Sequence, residues 1–297
     1  MKKILFGLVA TLFSATAYAT QTVNVIWPFN IGSTQANYAR ALIKEANQYQ
    51  NRWVFVLENK PGAGSSIAAN HVASNKEPSI MAATSSFFIR PNIYPDSSHN
   101  VDQFRTLMIQ CAVPMIIVSK KYKSFRDIGI SQRVTIGVSG LGTTTHLLTS
   151  ELRKKLPGIV AVPYTGTMEP IKDVIGDNLD MAVGFPGELK QFIDSGMLNV
   201  IGISGKKTFP GMPLLQNQGF VGSELAVNTH FLAIPKSIPD SIINDWKEIF
   251  TAVSKKSSVL QAHAVDNCQE PGPTNLEKWF DSQIRYWQQI TKDIKIN

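Results

Sequence analysis

The sequence predicts an α/β protein in which strands and helices alternate along most of the chain. Short apolar segments rich in β-branched residues, such as 23–28 and 134–138, have the composition of buried strands. Segments with apolar residues at helical spacing, such as 35–50, separate them. Small polar residues collect where a strand passes into a helix, which is typical of βα units.

The predicted elements follow one another from residue 23 to the C-terminal region. Strands are predicted at 23–28, 53–57, 80–83, 115–119, 134–138, 159–162, 180–183, 198–203 and 231–234. Helices are predicted at 35–50, 67–74, 146–155, 169–175, 188–194, 240–254 and 275–291, with a short helix beginning at 124–128. Because helices separate the strands, we expect parallel βαβ units whose ligands collect at the carboxyl ends of the strands.

The N-terminal segment has the composition of a secretory signal peptide. Lys2 and Lys3 precede a short apolar run, and the A-Y-A sequence at 17–19 is a small-x-small cleavage site. A membrane anchor is the alternative, but the apolar run is shorter than the roughly 20 residues that a span requires. We therefore expect a cleaved leader at 1–19, a mature chain that begins near Thr20, and a periplasmic protein.

Composition and charge exclude several classes of protein. Apolar residues make up 43% of the chain and charged residues 17%, as in globular proteins and unlike disordered ones. The formal net charge is +7, but the basic residues are scattered and form no continuous stripe, so nucleic acid is not expected as a partner. A mild positive field favours anionic solutes, although a solvated basic surface explains the charge equally well.

Clusters of Gly, Ser and Thr mark the carboxyl ends of three predicted strands, at 32–34, 84–86 and 140–145. For the clusters at 32–34 and 140–145, which precede predicted helices, a well-capped helix start is one interpretation. The other is a cradle for a carboxylate or phosphate, because unpaired N–H groups at a helix N-terminus attract anions. The repetition of the pattern favours a ligand site.

The motifs of common enzymes are incomplete. The segment GVSGL at 137–141 lacks the last glycine of a nucleophile elbow, although Ser139 and His146 leave a serine hydrolase open as an alternative. The histidines show no metal-ligand spacing, and we expect no cofactor and no metal. An exported protein can form a disulfide, and the sequence leaves open whether Cys111 and Cys268 are close enough to do so.

Several segments, taken in order, resemble one protein family. The family pattern P-F-x-x-G-G-x-T-D-x-x-A-R corresponds to PFNIGSTQANYAR at 28–40, and V-E-N-(R/K)-P-G-A-G-G corresponds to LENKPGAGS at 57–65. GLGTTTHL at 140–147 and VPYTG at 162–166 are similar to two further motifs. This ordered set, from about residue 23 to 290, resembles the extracytoplasmic solute receptors of tripartite tricarboxylate transporters, the Bug-type periplasmic binding proteins.

The resemblance implies the two-domain periplasmic binding protein fold (type II-like), an α/β architecture. The ligand cleft lies between two domains joined by two crossing strands. Domain 1 would comprise residues 22–115 and 230–297, and domain 2 residues 116–229. The crossings would fall at 115–119 and 231–235.

The resemblance also implies which residues bind the ligand. They are Phe29, Asn30, Gly32, Ser33, Thr34, Thr84, Ser85, Gly140, Gly142, Thr143, Thr144, His146, Tyr164, Gly184 and Phe185. For His146 the alternative is a structural role, in which it holds the start of a helix against its loop. The chain departs from the family pattern at Ser33 (Gly in the family), Ala36 (Asp) and Thr165 (Lys), which leaves open a ligand other than a dicarboxylate or tricarboxylate.

The function implied by the resemblance is solute binding without chemistry. The protein would be a monomer that captures a small organic acid in the periplasm and delivers it to the membrane components of a tripartite tricarboxylate-type transporter. Two alternatives remain open at this stage: a periplasmic serine hydrolase that uses Ser139 and His146, and a ligand-sensing receptor for a signalling partner.

Overall fold

The computed structural model describes residues 20–207, 209–220, 222–223, 226–266, 268, 275–292 and 294. Residues 1–19, where the signal peptide is predicted, lie outside the described residues. Within the described part of the chain, no helix is both long enough and apolar enough to cross a membrane.

The described strands form two sheets of five strands each. They are β1 (Gln21–Trp27), β2 (Trp53–Asn59), β3 (Ser79–Thr84), β4 (Phe104–Pro114), β5 (Ile116–Ser119), β6 (Val134–Val138), β7 (Ile159–Pro163), β8 (Met181–Gly184), β9 (Asn199–Ile203) and β10 (Val227–Pro235). The first sheet has the order β2-β1-β3-β10-β4 and the second β7-β6-β8-β5-β9. We call the parts of the chain built on these sheets the first lobe and the second lobe.

Helices cover both faces of each sheet. They are α1 (Ala36–Tyr49), α2 (Ser66–Ser74), α3 (Ser86–Ile93), α4 (Thr144–Arg153), α5 (Met168–Ile175), α6 (Pro186–Asp194), α7 (Asp240–Val253), α8 (Ser257–Ala264) and α9 (Leu276–Thr291). In the first lobe, α1, α7 and α8 share one apolar core, and α2, α3 and α9 share the other. In the second lobe, α4 packs on one face and α5 and α6 pack on the opposite face.

The α/β fold is confirmed, and the expected parallel units are present: β1 pairs in parallel with β2 and β3, and β6 with β7 and β8. Each sheet also contains antiparallel pairs, which the sequence did not predict. β10 runs antiparallel to β3 and β4, and β5 runs antiparallel to β8 and β9. These are the strands next to the passages between the lobes. Met115 alone separates β4 from β5, so β5 enters the second sheet without the helical crossover that a parallel strand requires.

Sequence reasoning missed three elements, β4, α3 and α8. The pairing of β4 with β10 contains two register shifts, which break the strict alternation that predicts a strand. Pro91 lies inside α3, and a proline normally signals the end of a helix. The strand predicted at 231–234 is longer, since β10 begins at Val227 and the proposed crossing at 231–235 lies inside it. The domain limits given above stay a prediction.

An aromatic cluster fixes α3 and α9 against the first sheet. Phe88 stacks on Phe231 of β10 at a centroid distance of 5.2 Å and meets Phe280 of α9 at 5.0 Å. Phe87 and Trp279 complete the cluster, and all five rings are buried. Edge-to-face and stacked pairs of this kind stabilise a core beyond the area that they bury. The cluster thereby positions the polar residues at the carboxyl end of β3, which directly precede α3.

A disulfide joins the C-terminal region to the strand that leads into the second lobe. Cys111 of β4 is bonded to Cys268, with their Cα atoms 5.5 Å apart, so the question left open by the sequence is answered. His263 lies within 4.8 Å of both sulfur atoms, and together they form the metal-type cluster found among the described residues. Both sulfur atoms are used by the disulfide. The bond holds the segment after α8 beside the passage between the lobes.

Loss of this disulfide should destabilise the protein. The bond spans 157 residues, and closing so long a loop removes much entropy from the unfolded chain. We expect the double variant Cys111→Ala/Cys268→Ala to lose about 2–5 kcal/mol in the free energy of unfolding, measured by urea denaturation. Wild-type protein unfolded in excess dithiothreitol is the control and should match the variant. Equal midpoints for the oxidised wild type and the variant would contradict this assignment.

Candidate functional site: a cleft between the two lobes

The carboxyl ends of strands from both sheets meet in a cleft that contains two neighbouring cavities. The inner cavity is lined by Phe29, Ser33, Gln35, Thr84, Ser86, Ser139, Thr144, Gly166, Thr167, Phe185 and Asn228. The outer cavity is lined by Phe29, Gly62, Ala63, Gly64, Arg90, Ser139, Gly140, Leu141, Pro163, Tyr164 and Thr165. Phe29 of the first lobe and Ser139 of the second belong to both cavities.

The two cavities differ in size. The outer cavity has a volume of about 240 Å³, whereas the inner one offers about 10 Å³. The inner volume is close to the minimum that one water molecule needs. The inner cavity is therefore closed to anything larger than water in this structure.

The loop after β1 is held in shape by its own hydrogen bonds. The indole N–H of Trp27 donates to the Asn30 carbonyl at 3.2 Å, and the Asn30 side-chain oxygen accepts from the Gly32 amide at 2.7 Å. The Ser33 hydroxyl oxygen accepts from the amide of Ala36, the first residue of α1, at 3.3 Å. Ser33 thus supports the helix start that the sequence predicted and also lines the inner cavity.

The same loop reaches across the cleft to the second lobe. The Asn30 amide donates to the Thr165 carbonyl at 3.3 Å, and the Asn30 side chain donates to Glu169 Oε1. Farther along the cleft, Arg90 of α3 donates to the Leu141 carbonyl at 2.9 Å. Two loops of the second lobe are therefore bonded directly to the first lobe.

The Asp266 carboxylate forms the most deeply buried bridge between the lobes. One oxygen accepts from the Tyr38 hydroxyl and, at 3.4 Å, from Thr34, both in or beside α1. The other accepts from the amide of Gly187 in the first turn of α6, at 2.5 Å. Burial raises the pKa of Asp266, while these hydrogen bonds oppose that rise. Asp266 therefore places a carboxylate beside α1, whose residue 36 is alanine where the family pattern has Asp.

The loop before α4 contains a cluster of mutually bonded hydroxyl groups. Ser139 Oγ lies 3.0 Å from Thr145 Oγ1 and 3.4 Å from Thr143 Oγ1, and the Thr143 hydroxyl donates to the Gly140 carbonyl at 2.7 Å. Gly140 has φ +129°, a backbone conformation that favours glycine. These bonds fix the loop and aim the neighbouring residue 144 at the inner cavity.

His146 has the structural role that the sequence left as the alternative. Its Nδ1 accepts from the Gly142 amide at 3.2 Å, which holds the first turn of α4 against the loop. Burial, with help from Arg153 and Arg90, lowers the pKa of His146 to about 4, so the ring is neutral at pH 7. Ser139 is bonded to threonines and not to His146, so the geometry does not favour the pairing of a serine hydrolase.

Glu188 in the first turn of α6 is a buried acid beside the cleft. Its Oε1 accepts from the Thr167 hydroxyl at 2.8 Å and its Oε2 from the Phe185 amide at 3.4 Å. Burial raises the pKa of Glu188 to about 8, and the nearby carboxylates of Asp266 and Glu169 add to that rise. At pH 7 Glu188 is therefore mostly protonated and contributes little negative charge.

The predicted ligand-binding residues fall into two groups. Those that line a cavity are Phe29, Ser33, Thr84, Gly140, Thr144, Tyr164 and Phe185. Those that line neither cavity are Asn30, Gly32, Thr34, Ser85, Gly142, Thr143, His146 and Gly184. In the second group, the Ser85 hydroxyl oxygen accepts from the Thr229 amide at 2.9 Å, and Gly184 packs closely against Ile171 and Leu189. Direct contact of either group with a solute stays a prediction.

Sequence reasoning missed Gln35, Arg90, Thr167 and Asn228. Gln35 was assigned to the helix start, and it does occupy the N-cap position of α1, but its side chain also lines the inner cavity. Arg90 and Asn228 lie in elements whose extent was not predicted, α3 and the first part of β10. Thr167 comes directly after the VPYTG segment, which the sequence comparison with the family pattern had singled out. Its place next to that motif could have identified it as a residue of the cleft.

A groove of about 870 Å³ lies elsewhere on the first lobe, between α7 and α9. It adjoins Phe104 at the start of β4 and Lys236 just after β10, at the end of the sheet opposite the cleft. Its charged residues are of both signs, and Arg105 and Asp240 are paired at 2.9 Å. The convergence of loops from both lobes makes the smaller cleft the better candidate site.

Comparisons with known proteins identify the family. A family model described as "Tripartite tricarboxylate transporter family receptor" matches residues 39–296. The chain belongs to this family. Similar curated proteins are UPF0065 proteins from the tcbD-tcbE intergenic region of Pseudomonas sp. (strain P51) and from the TAR-I ttuE-ttuC' intergenic region of Agrobacterium vitis. The first is 22% identical over 95% of this chain and 88% of its own length, and the second 25% identical over 90% and 83%.

Solved structures similar to this receptor-family chain share its fold. The periplasmic binding protein BugD has a TM-score of 0.83 and 22% identity, covering 93% of this chain and 98% of that one. Rpa4515 of R. palustris with adipate has a TM-score of 0.79 and 20% identity, covering 92% and 96%. MatC (Rpa3494) from Rhodopseudomonas palustris with bound malate has a TM-score of 0.80 and 17% identity, covering 91% and 98%. The periplasmic binding protein fold predicted from the sequence is thereby confirmed.

The raised pKa of Glu188 should make stability fall with pH above neutrality. Between pH 7 and 8 the unfolded protein has this side chain ionised, whereas the folded protein still holds its proton, so rising pH favours unfolding. The free energy of unfolding should fall by up to about 1.4 kcal/mol across that unit. Buried histidines act weakly in the opposite direction, because burial lowers the pKa of His99, His146 and His230 to about 4 or below and the unfolded side chains still hold some protons near pH 7. This contribution is the same in the wild type and in a variant of Glu188, so a comparison of the two removes it.

The variant Glu188→Gln isolates this effect, because glutamine retains an oxygen that can accept from Thr167. We expect a flatter dependence on pH for the variant than for the wild type, measured by urea denaturation at pH 7.0, 7.5 and 8.0. Equal slopes for the two proteins would mean that Glu188 is ionised in the folded state and would contradict the assignment.

Proposed function

We propose that the protein is a periplasmic receptor that captures a small carboxylic acid between its lobes and delivers it to a tripartite tricarboxylate-type transporter. The observation that carries the proposal is the inner cavity, where hydroxyl and amide side chains of both lobes converge. Family membership supports the transporter partner, and relatives of the same fold are described with adipate and with malate. The protein acts without catalysis.

Hydroxyl and amide donors hold the carboxylate in this proposal. Ser33 and Thr144 face the inner cavity from opposite lobes, and each adjoins the start of a helix, whose positive end attracts an anion. Gln35 adds a side-chain N–H₂ group that is buried and has no partner among the described residues. An acceptor atom of the solute would satisfy that donor.

Closure of the lobes completes the site. The solute binds when the lobes are apart, and the lobes then rotate about the passages at Met115 and before β10. Contacts across the cleft, such as those of Asn30 and Asp266, form only in the closed state. Interactions made in one state alone are what allow a ligand to shift the balance between the two states.

A leader at residues 1–19 directs export, and the mature protein acts as a monomer. Its two domains comprise residues 22–115 with 230–297, and residues 116–229. The membrane components of the transporter recognise the closed form, in which the surfaces of both lobes are held in one arrangement.

A thermal-melt screen tests this function. The mature protein, from Thr20 onward, is unfolded and refolded with its disulfide intact to remove bound solute, and is then mixed with succinate, malate, adipate, glutamate or benzoate. A solute at about 100 times its dissociation constant stabilises the fold by about 2.7 kcal/mol, which raises Tm by roughly 5 °C. No shift with any acid would contradict the proposal.

Matched variants place the binding event in the cleft. The double variant Ser33→Ala/Thr144→Ala removes one hydroxyl from each side of the inner cavity and should abolish the shift. The double variant Ser131→Ala/Thr251→Ala removes two exposed hydroxyls outside the cleft and should retain it. Equal shifts in both variants would place the solute elsewhere.

A further inference from the structure

We infer that Cys111, His263 and Cys268 bind a Zn²⁺ ion when the disulfide between the two cysteines is reduced. The inference goes beyond the proposed function and is independent of it, because it concerns the contact between β4 and the segment after α8, away from the cavities of the cleft. Its basis is the convergence of two sulfur atoms and one imidazole, which are ligands that zinc prefers.

The three ligand atoms already lie close to one another. Each side chain offers one such atom, and all three atoms are within 4.8 Å of one another. Thiolate sulfur binds zinc at about 2.3 Å and imidazole nitrogen at about 2.0 Å, so the ligand atoms of a tetrahedral site lie about 3.5–3.8 Å apart. The imidazole therefore needs to move little, whereas the two sulfur atoms must separate once the bond between them is broken.

The position of Cys268 allows that separation. Cys111 is fixed in β4 and is only 1% exposed. Cys268 is partly exposed and lies outside the helices and strands, so its side chain can rotate without breaking a regular element. Its exposure also leaves room for a water molecule as the fourth ligand, as in zinc sites that have three protein ligands.

A turn after α8 presents two of the ligands together. Four residues separate His263 from Cys268, a spacing within the three to five residues typical of paired zinc ligands. The His263 carbonyl accepts from the amides of Asp266 and Cys268, both at 3.2 Å, which closes the turn. The Tyr38 ring packs edge-to-face against the imidazole at a centroid distance of 5.0 Å and so restricts its orientation. The site is therefore largely preorganised.

The imidazole of His263 has an unsatisfied nitrogen. Its Nε2 is buried and has no hydrogen-bond partner among the described residues. A buried polar atom without a partner costs free energy, so an unpartnered atom of this kind requires an explanation. Coordination of a metal ion by the ring satisfies the need that the folded protein leaves open.

Reduction of the disulfide requires a dithiol as the reductant, such as dithiothreitol or the paired cysteines of a thiol–disulfide oxidoreductase. A thiolate of the reductant attacks Cys268 Sγ, the more exposed sulfur, and Cys111 leaves as a thiolate. The second thiol of the reductant then attacks the mixed disulfide and releases Cys268. The reductant loses two electrons and the protein disulfide gains them, and zinc stays in its +2 state. Binding of the ion releases the remaining thiol protons.

The ion then takes over the structural role of the disulfide. Both links tie the segment after α8 to β4, and Asp266 lies two residues before Cys268 in that segment. A reduced protein that holds zinc therefore keeps Asp266 beside the passage between the lobes. Reduction without zinc removes this link.

Cobalt titration of the reduced protein tests the inference. The mature protein is reduced with a phosphine, separated from the reductant without oxygen, and titrated with Co²⁺, whose thiolate complexes absorb in the near ultraviolet. We expect a charge-transfer band that saturates at one Co²⁺ per chain and disappears when Zn²⁺ is added. Zn²⁺ should also raise the Tm of the reduced protein. The oxidised protein, measured in parallel, should show neither effect.

A variant of the imidazole ligand separates this site from a simple dithiol. His263→Phe keeps a ring against Tyr38 and keeps the disulfide, so its folding is checked in the oxidised form before reduction. It should weaken Co²⁺ binding at least about tenfold. His71→Phe is the matched control, because this partly buried histidine lies in α2 and takes no part in the cluster. It should bind Co²⁺ as the wild type does.

Three results would overturn the inference. The first is the absence of a charge-transfer band in the reduced wild type, whether or not it is folded, because metal binding and folding are coupled in such sites. The second is equal Co²⁺ affinity for the wild type and a folded His263→Phe. The third covers the case in which that variant does not fold: X-ray absorption of the wild-type zinc complex should show two sulfur ligands and an imidazole, and sulfur ligands without imidazole would contradict the site.

Discussion

The Asp266 carboxylate is the contact on which the arrangement of the two lobes depends. It accepts from Tyr38 and Thr34 of the first lobe and from the Gly187 amide of the second. Charge-assisted hydrogen bonds in a buried setting are stronger than neutral ones, and the N-terminus of α6 adds the favourable end of a helix dipole. The disulfide at Cys268, two residues later, keeps this carboxylate beside the passage between the lobes.

The polar groups of the cleft divide into those that build it and those that remain free for a solute. Ser139, Thr143 and Thr145 bond to one another and to backbone, so they hold the loop before α4 in one shape without a ligand. Gln35 and Asn228 are buried, and each keeps one atom without a partner among the described residues. Such preorganisation lowers the ordering cost of binding, because the solute meets groups that are already in place.

The sequence was sufficient to predict the alternation of strands and helices and the loops that form the cleft. It could not predict which side chain of a loop lines the inner cavity. Thr143 and Thr144 are neighbours, yet Thr143 caps α4 and only Thr144 lines the inner cavity, because the direction of the helix start decides between them. Asn228 and Asp266 reach the cleft from positions far along the chain, and no local pattern marks them. Contacts of that range depend on the packing of the whole fold.

Two of the elements missed from the sequence, β4 and α3, share a physical reason. β4 and α3 both break a local rule, β4 through register shifts against β10 and α3 through Pro91. The packing that tolerates these irregularities, including the cluster around Phe87 and Phe88, becomes apparent only in the folded structure. One consequence is that Arg90, on the irregular α3, stayed unrecognised as a residue of the cleft.

Small-angle X-ray scattering of Asp266→Ala, compared with the wild type, tests most directly whether this carboxylate holds the lobes closed. The variant Asp180→Ala is the control, because Asp180 accepts from the amide and the hydroxyl of Thr135 within the second lobe alone. In the presence of an acid that stabilises the wild type in the thermal-melt screen, the account predicts a larger radius of gyration for Asp266→Ala than for the wild type, with Asp180→Ala equal to the wild type. An unchanged radius for folded Asp266→Ala would contradict the claim that the contact with Gly187 keeps the cleft closed.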